Sequence, residues 1–345
     1  MTAESETSFD IDGDTKGDTG GEVDVATLHR SVMLSETLEY LAPERGGLFI
    51  DATLGLGGHT EAILESNATT RVIGIDRDPD ALEHATRRLT RFGERFKPVK
   101  ALSHEIAEVL ESAGESKADG VLADLGVSSW QFDTVHRGFS FRFDAPLDMR
   151  MDAGGDDSTA AELLAELPEV EIARIIYEYG EESASRRIAR RIVERRERGE
   201  PVKTTVELAN LVAGAIRYRA GKSKRPRGRG TSEIHPATRT FQALRIAVNG
   251  ELDDLEKFVE SSIEILNPQG RFVCISFHSL EDRIIKRTLR RLAGGCECDT
   301  RLPVCECGSR EAVQILTRRP VTPDAAEARS NPRARSAKLR ACQRL

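Results

Sequence analysis

Long apolar runs, a signal-peptide pattern and the cysteine framework of a disulfide-rich secreted protein are all missing from this chain of 345 residues. No window holds the ~18 consecutive apolar residues of a membrane helix, and none has the pattern of a secretory signal. Of the six cysteines, Cys274 and Cys342 stand alone and four cluster between Cys296 and Cys307. That distribution is unlike the framework of a disulfide-rich secreted protein. We therefore expect a cytoplasmic protein without a membrane partner.

The first 27 residues have few large apolar side chains. Residues 4–24 carry eight acidic side chains and one lysine. Such a segment cannot bury enough apolar surface to offset the entropy of ordering, so we predict that residues 1–27 form a disordered acidic tail. The net charge of −7 includes this tail, which masks basic surface elsewhere, so it does not exclude a nucleic-acid partner. The rest of the chain is long enough for two domains.

A glycine-rich stretch, Leu48–Thr60 with the sequence LFIDATLGLGGHT, is the first strong motif. Its apolar start predicts a buried strand that ends at Asp51, followed by a glycine turn and a helix from about His59. Backbone N–H groups in such a strand, turn and helix bind nucleotide-like ligands. The pattern Asp-x-x-x-Gly-x-Gly-Gly differs from the GxGxxG of dinucleotide sites. It favours an adenosyl ligand without a pyrophosphate, and a tight turn with no ligand is the alternative.

Two further predicted strands also end in carboxylates, namely Arg71–Asp76 and Asp119–Asp124. Asp76 comes about 20 residues after the glycines, where an acidic residue binds the ribose hydroxyls of a nucleoside. Its alternative role is to cap the helix that follows. Because parallel strands end at one edge of a sheet, we expect Asp51, Asp76 and Asp124 to point into one crevice. Such a crevice suits a cationic ligand rich in hydroxyls, and S-adenosylmethionine is both.

The middle of the chain has a different character. Residues 130–150 lack a regular pattern but carry phenylalanine and arginine, which suits stacking on unpaired bases or the core of a coiled segment. Residues 158–220 have apolar side chains at helical spacing, which predicts four helices without intervening strands. We therefore predict a small all-helical domain, residues 130–235, inserted into an α/β domain of residues 28–129 and 236–345.

A cationic segment lies near the end of this predicted insertion. Arg217–Gly230 contains seven Lys or Arg, no acid, three glycines and one proline. The composition predicts a flexible loop that binds phosphates by counterion release, and a localisation signal or a solubility loop is the alternative. The candidate RNA-binding residues are Arg217, Arg219, Lys222, Lys224, Arg225, Arg227 and Arg229.

Two further candidate sites lie closer to the C-terminus. His278 follows a predicted strand and begins a helix, which makes it a candidate general base or substrate-orienting group, with a structural role as the alternative. Cys296-x-Cys298 and Cys305-x-Cys307 could close a tetrahedral zinc site or remain free thiols. The spacing within each pair is tighter than the usual Cys-x-x-Cys, so both interpretations stay open.

Several long motifs in one order resemble the bacterial 16S ribosomal RNA cytosine-N(4)-methyltransferases, the family that methylates cytidine 1402 of the small subunit. The matching segments are HRSVML, IDATLGLGGHT, GIDRDPDAL, DGVLADLGVSSWQFD, RGFSF with PLDMRMD, HPATRTFQALRIAVN, ISFHSLEDRIIKR and NPRARSAKLR. The resemblance implies a class I methyltransferase fold, which is an open, twisted, mostly parallel Rossmann-like sheet with helices on both faces, interrupted by a helical substrate-recognition domain. It also implies S-adenosylmethionine as cofactor and 16S rRNA of the small ribosomal subunit as partner, with no obligate protein partner evident.

The same resemblance implies particular site residues. Cofactor contacts fall on Gly57, Gly58, His59, Asp76, Ser103, Asp124 and Gln131. Position 103 is often aromatic in relatives and is serine here, so we expect another side chain to stack on the adenine ring. Asp124-Leu125-Gly126-Val127 replaces the Asp/Asn-Pro-Pro-aromatic loop of other amino-methylating enzymes, and we expect Asp124 or a nearby carbonyl to accept the amine hydrogens. A DNA amino-methyltransferase and a non-catalytic ribosome-assembly RNA-binding protein are the alternatives.

Overall fold

A computed structural model describes residues 31–220, 235–295 and 311–345. Within these ranges the strands are β1 (Leu48–Asp51), β2 (Arg71–Asp76), β3 (Phe96–Lys100), β4 (Ala118–Asp124), β5 (Leu266–Ser276), β6 (Val313–Ile315) and β7 (Lys338–Arg344). The helices are α1 (Leu34–Leu41), α2 (Gly58–Ser66), α3 (Pro79–Leu89), α4 (Ile106–Ser112), α5 (Ser129–Asp133), α6 (Ala160–Glu166), α7 (Glu169–Glu178), α8 (Ser185–Glu197), α9 (Thr205–Ala220), α10 (Thr238–Asn249), α11 (Leu255–Glu264), α12 (Ser279–Leu292) and α13 (Ala325–Ser330).

The seven strands form one sheet in the order β3-β2-β1-β4-β5-β7-β6. Strands β1 to β5 are parallel, and β7 runs antiparallel between β5 and β6. The chain winds outward from β1 to β3 and then returns to β4, so the strand order reverses between β1 and β4. Ligands bind at such a reversal, outside the carboxyl ends of the strands.

Helices cover both faces of the sheet. One apolar core lies between the sheet and helices α4, α11 and α12, and a second lies between the sheet and α1, α2 and α3. Phe258 and Phe272 are among the largest side chains in the first core, and Phe49 is among those in the second. The predicted fold class, an open and mostly parallel α/β sheet with helices on both faces, is confirmed.

A third apolar core belongs to the helical part of the chain. The four predicted helices are present as α6 to α9, because apolar residues such as Ile176, Ile188 and Ile192 recur at helical spacing and are buried against one another. Helix α10 also contributes Phe241 and Leu244 to this core, although the predicted domain boundary at residue 236 assigned it to the sheet domain. The domain boundaries themselves stay a prediction.

Residues 130–150 are mostly irregular, with α5 at their start. Phe139 is buried in the helical core, and the Phe141 ring packs at 4.8 Å from that of Phe241. Phe143 differs, because 59% of it is exposed. The core interpretation therefore holds for Phe139 and Phe141, and Phe143 is open to a partner.

Several predictions concern residues outside the described ranges. These are the acidic tail, the basic segment from Lys222 to Arg229, and the four clustered cysteines. Helix α9 continues to Ala220, so Arg217 and Arg219 lie on a helix rather than in the predicted loop. In the described part of the chain, no helix is both long enough and apolar enough to cross a membrane.

Candidate active site

A cleft of about 470 Å³ opens at the carboxyl edge of the sheet, next to the reversal between β1 and β4. Its walls come from the turn after β1, the ends of β2 and β4, the segment after β3, and the region between α10 and α11. This volume suits a ligand the size of a nucleoside derivative. Strand order therefore places the cleft where an α/β sheet binds its ligand.

The glycine turn after β1 forms one wall of this cleft. Gly55 has a φ of +50° and Gly57 a φ of +76°, which glycine adopts without the strain of a side chain. Gly57 is not among the residues that line the cleft, and a Cβ there would lie 3.0 Å from Leu89 and 3.3 Å from Ala85. Its place is explained by the close approach of α3, whereas Gly55 and Gly58 face the cleft.

Asp76 ties this turn to the end of β2. Its Oδ2 accepts a hydrogen bond from the Gly55 N–H at 2.8 Å, and its Oδ1 accepts one from the Asp78 N–H at 2.9 Å. Burial raises the pKa of Asp76 to about 6. Each carboxylate oxygen can accept more than one hydrogen bond, so Asp76 can also accept from ligand hydroxyls in the cleft that it lines.

Asp51 does not point into the cleft, which corrects the expectation that three strand-end carboxylates share it. The side chain is 1% exposed, accepts a hydrogen bond from Thr60 Oγ1 at 2.8 Å, and accepts another from the Thr53 N–H at 3.2 Å. Burial raises its pKa to about 6. The sequence places Asp51 at the right strand end, but Thr60 on α2 folds back over it and takes its carboxylate.

Asp124, at the end of β4, lines the cleft beside the glycine turn. Its backbone N–H donates to Thr53 Oγ1 at 2.6 Å, and its Oδ2 lies 3.8 Å from His59 Nδ1. Its Oδ1 is buried and has no hydrogen-bond partner in the described part of the protein. Burial, and then the charges of Asp51 and Glu281, raise the pKa of Asp124 well above its usual range. A ligand that brings a positive charge or an N–H donor would satisfy this group.

The remaining cofactor candidates surround the same space. His59 is buried, with Nε2 2.9 Å from the Val32 carbonyl oxygen. Gln131 is also buried, and its Nε2 donates to Asp78 Oδ2 at 2.7 Å. Ser103 lies in a short 3₁₀ turn after β3. The cleft thus brings together six of the seven predicted cofactor residues, Gly58, His59, Asp76, Ser103, Asp124 and Gln131.

His278 lies outside the cleft lining, as the N-cap of α12. Its Nδ1 accepts a hydrogen bond from the Glu281 N–H at 3.4 Å, and its Nε2 lies 3.2 Å from Glu281 Oε1. Glu281 itself lines the cleft. Burial raises the pKa of Glu281, but the neighbouring His278 and Arg245 outweigh it, so the net pKa lies below the usual range. Glu281, rather than His278, is the group that reaches the ligand space.

Glu251, His278 and Glu281 each offer a ligand atom within 4.8 Å of the others, as in a metal site. The bonding around them points the other way. Because His278 Nδ1 accepts a backbone N–H, the neutral ring carries its proton on Nε2. Glu251 is already bound through both oxygens to Arg245, at 2.8 Å each. A cation at this site would therefore have to compete with Arg245 for the two oxygens of Glu251.

Sequence reasoning missed Arg245, Glu251 and Glu281 as cleft residues. Arg245 and Glu281 stand inside amphipathic helices, where single charged residues ordinarily face solvent. The one available signal was the position of Glu281 close after the end of β5, at the same sheet edge as Asp124.

Comparisons with known proteins show the family to which this chain belongs. A profile of the MraW methylase family matches residues 26–345. A protein named ribosomal RNA small subunit methyltransferase H from Geobacter sulfurreducens is 53% identical over 92% of this chain and 99% of its own length. A protein of the same name from Trichlorobacter lovleyi is 51% identical over 92% of this chain and 98% of its own.

Solved structures similar to this chain include an rRNA methylase from Streptococcus thermophilus. It has 9% sequence identity and a TM-score of 0.38, and the match covers 92% of this chain and 99% of that one. The profile spans nearly the whole chain, and the two curated relatives exceed 50% identity over almost their full length. The protein whose cleft is described above therefore belongs to the MraW methylase family.

Proposed function

We propose that this protein transfers a methyl group from S-adenosylmethionine to the exocyclic 4-amino group of cytidine 1402 in 16S rRNA, in the decoding centre of the small ribosomal subunit. The observation that carries the proposal is that Asp76 and Asp124 line the same cleft, beside the glycine turn. Family membership and the names of the curated relatives support an rRNA substrate. The resemblance of the sequence motifs supports the cytidine and its position.

The residues of the cleft fit S-adenosylmethionine. Asp76 has acceptor capacity for the two ribose hydroxyls, and the unpartnered Oδ1 of Asp124 suits a nearby positive charge. Leu102 and Leu255 offer apolar surface for an adenine ring on the side of the cleft where Ser103 lies. When bound, the cofactor supplies an electrophilic methyl group on a cationic sulfur.

Asp124 is the residue that we assign to the amine of the target base. The lone pair of this amine is delocalised into the ring, so transfer depends on in-line positioning and on an acceptor for the proton that is lost. A carboxylate whose pKa is raised by burial, Asp51 and Glu281 is a stronger base than an ordinary aspartate, and general bases work best near the operating pH. Asp124 therefore accepts the amine hydrogen bonds and then the proton.

RNA contacts are proposed for two regions. The seven basic residues between Arg217 and Arg229 would bind phosphates, and the exposed ring of Phe143 would stack on an unpaired base. Both regions belong to the predicted helical insertion of residues 130–235. The four clustered cysteines remain a candidate zinc site, with free thiols as the alternative.

The test is methyl transfer from labelled S-adenosylmethionine to three acceptors: small ribosomal subunits lacking the modification, naked 16S rRNA and duplex DNA. We expect label in N(4)-methylcytidine from the ribosomal acceptors, and its loss in Asp124→Asn. Glu83→Gln serves as the matched control, because it neutralises a side chain that is 70% exposed on α3. Label in DNA alone would favour the DNA methyltransferase, and cofactor-independent RNA binding without transfer would favour the assembly factor.

A further inference from the structure

Arg245 is held rigidly at the cleft by Glu251. Its Nε donates to Glu251 Oε1 and its Nη2 to Glu251 Oε2, both at 2.8 Å. The side chains of Arg245 and Glu251 are 17% and 7% exposed, so this fork-like pair is largely shielded from water. A bidentate pair of this kind fixes the plane of the guanidinium.

The third nitrogen of this guanidinium is available for a ligand. Nη1 of Arg245 has no hydrogen-bond partner among residues 31–220, 235–295 and 311–345, and it is not a buried atom. Arg245 is also one of the residues that line the cleft. The pair with Glu251 thus leaves one N–H₂ group of a cleft-lining residue without a partner among the described residues.

This group lies against the loop that follows Asp124. A Cβ on Gly126 would stand 3.9 Å from Arg245 Nη2, 4.0 Å from its Nη1 and 3.9 Å from Phe277 Cδ2. Phe277 also lines the cleft. A hydrogen-bond donor, an aromatic ring and the proposed amine acceptor therefore meet around one short loop.

The charges around Arg245 favour a neutral ligand atom over a phosphate. Glu251 neutralises the guanidinium directly, and Glu281 lies close enough to contribute to its electrostatics. The same cleft contains the carboxylates of Asp76 and Asp124. A phosphate would be repelled by this set of acids, whereas an uncharged ring nitrogen would lose nothing by entering it.

Resting on the proposed function, we propose that Arg245 reads the target base by donating from Nη1 to ring N3 of cytosine while the 4-amino group faces Asp124. N3 and the 4-amino group are neighbours on one edge of cytosine, so a donor beside Gly126 and an acceptor at Asp124, two residues earlier in the same cleft wall, match that edge. Uracil presents an N–H at the same ring position and would oppose the Arg245 donor. Glu251 is the positioning residue that aims Nη1.

The test compares small subunits that carry cytidine or 3-deazacytidine at the target position. The analogue keeps the amine and replaces N3 with a carbon. Initial rates at saturating cofactor are measured for the wild type, for Arg245→Lys and for the double variant Arg245→Met with Glu251→Leu, which removes both charges together and so leaves no buried acid unpaired. Arg174→Met, on the exposed face of α7, is the control.

We expect the ratio of cytidine to 3-deazacytidine rates to be about 10 to 100 times larger for the wild type and the control than for the two Arg245 variants. The intrinsic reactivity of the analogue cancels in this comparison. Equal ratios in the wild type and in either variant that still binds the cofactor would overturn the inference. If the wild type methylates no cytidine at all, it is the proposed function that fails. A reduced salt dependence of RNA binding in the variants, with unchanged ratios, would assign Arg245 to a phosphate and also overturn it.

Discussion

Arg137 Nη2 lies 2.6 Å from Asp78 Oδ2, and the two side chains are 2% and 0% exposed. The same Asp78 oxygen accepts from Gln131 Nε2, and the Arg137 group also donates to the Met151 carbonyl. Asp78 caps α3, two residues after Asp76. One buried ion pair therefore joins the irregular segment of residues 130–151 to the strand end that carries the proposed ribose acceptor.

Removing Arg137 from this pair is expected to destabilise the protein strongly. Arg137→Met leaves Asp78 as a buried charge with one hydrogen-bond donor fewer, which typically costs about 3–5 kcal/mol. Urea unfolding measures the change. Arg174→Met is the control, because that arginine is 55% exposed in its pairs with acids on α7, and exposed ion pairs contribute little to stability. Similar losses in both variants would contradict the importance of the buried pair.

Two glycines with nearly the same backbone φ allow the cost of crowding a neighbour to be distinguished from the cost of backbone strain. Gly57 has a φ of +76° and Gly114 a φ of +78°, but only Gly57 has neighbours within 4 Å of a Cβ. Both alanine variants carry the backbone penalty of about 1 kcal/mol, and Gly57→Ala also crowds Leu89, which adds about 1–3 kcal/mol. Gly57→Ala should therefore have a lower free energy of unfolding than Gly114→Ala. Equal free energies for the two variants would show that α3 moves to accommodate the added methyl group without loss of stability.

The buried carboxylate of Asp51 should weaken the fold at neutral pH. Its pKa in the folded protein is raised from 3.8 to about 6, so its favourable contribution is present below about pH 4 and is lost as the pH rises through 6. Asp51→Asn keeps partners for Thr53 and Thr60 and removes the charge. We expect the variant to gain up to about 3 kcal/mol at pH 8 and nothing at pH 4. Chemical unfolding at the two pH values provides the test, and a loss of stability at pH 8 would contradict it.

Asp76 should govern cofactor affinity. Replacing it with asparagine removes a charged acceptor, and we expect S-adenosylhomocysteine to bind about 10 to 100 times more weakly in calorimetry. Because the pKa of Asp76 is raised to about 6, wild-type affinity should fall as the pH drops below 6 and the acceptor becomes protonated. That dependence should vanish in Asp76→Asn. Asp156→Asn, on an exposed loop, should leave both affinity and pH dependence unchanged.

Much of the fold was predictable because local signals and tertiary structure agree. Strand β2 has the bounds expected from the sequence, and Pro79 after the cap Asp78 places the start of α3. The buried apolar run of β1 and its glycine turn located the cleft. These features depend on a few neighbouring residues, so a sequence displays them directly.

The charged residues on the far side of the cleft could not be predicted in this way. Arg245 and Glu251 are six positions apart, on α10 and in the turn after it, and their role depends on how that helix packs across the sheet edge. Arg137 pairs with a residue 59 positions earlier. The prediction that Asp51 points into the cleft was wrong for a different reason. Its position at the strand end was correct, but Thr60 donates a hydrogen bond to its carboxylate. In all three cases the outcome depends on how side chains pack in the folded protein, which has no local signature in the sequence.

Replacing Asp124 should affect the rate of methyl transfer much more than the affinity for the cofactor. Asp124→Asn keeps the size of the side chain and removes its capacity to take a proton, so we expect turnover to fall by about 10² to 10⁴. The dissociation constant of the cofactor should change far less. Single-turnover rates at saturating cofactor measure the first quantity and calorimetry the second. Unimpaired turnover would show that another group accepts the amine proton, such as a backbone carbonyl of residues 125–127.

The central claim is most directly tested by identifying the methylated nucleoside. Small subunits from cells that lack the modification are incubated with the full-length protein and labelled S-adenosylmethionine, and the 16S rRNA is digested and resolved by mass spectrometry. We expect one labelled nucleoside, N(4)-methylcytidine, at position 1402, formed about 10² to 10⁴ times more slowly with Asp124→Asn. Label on another atom or another nucleoside, or equal transfer to duplex DNA, would contradict the proposed reaction.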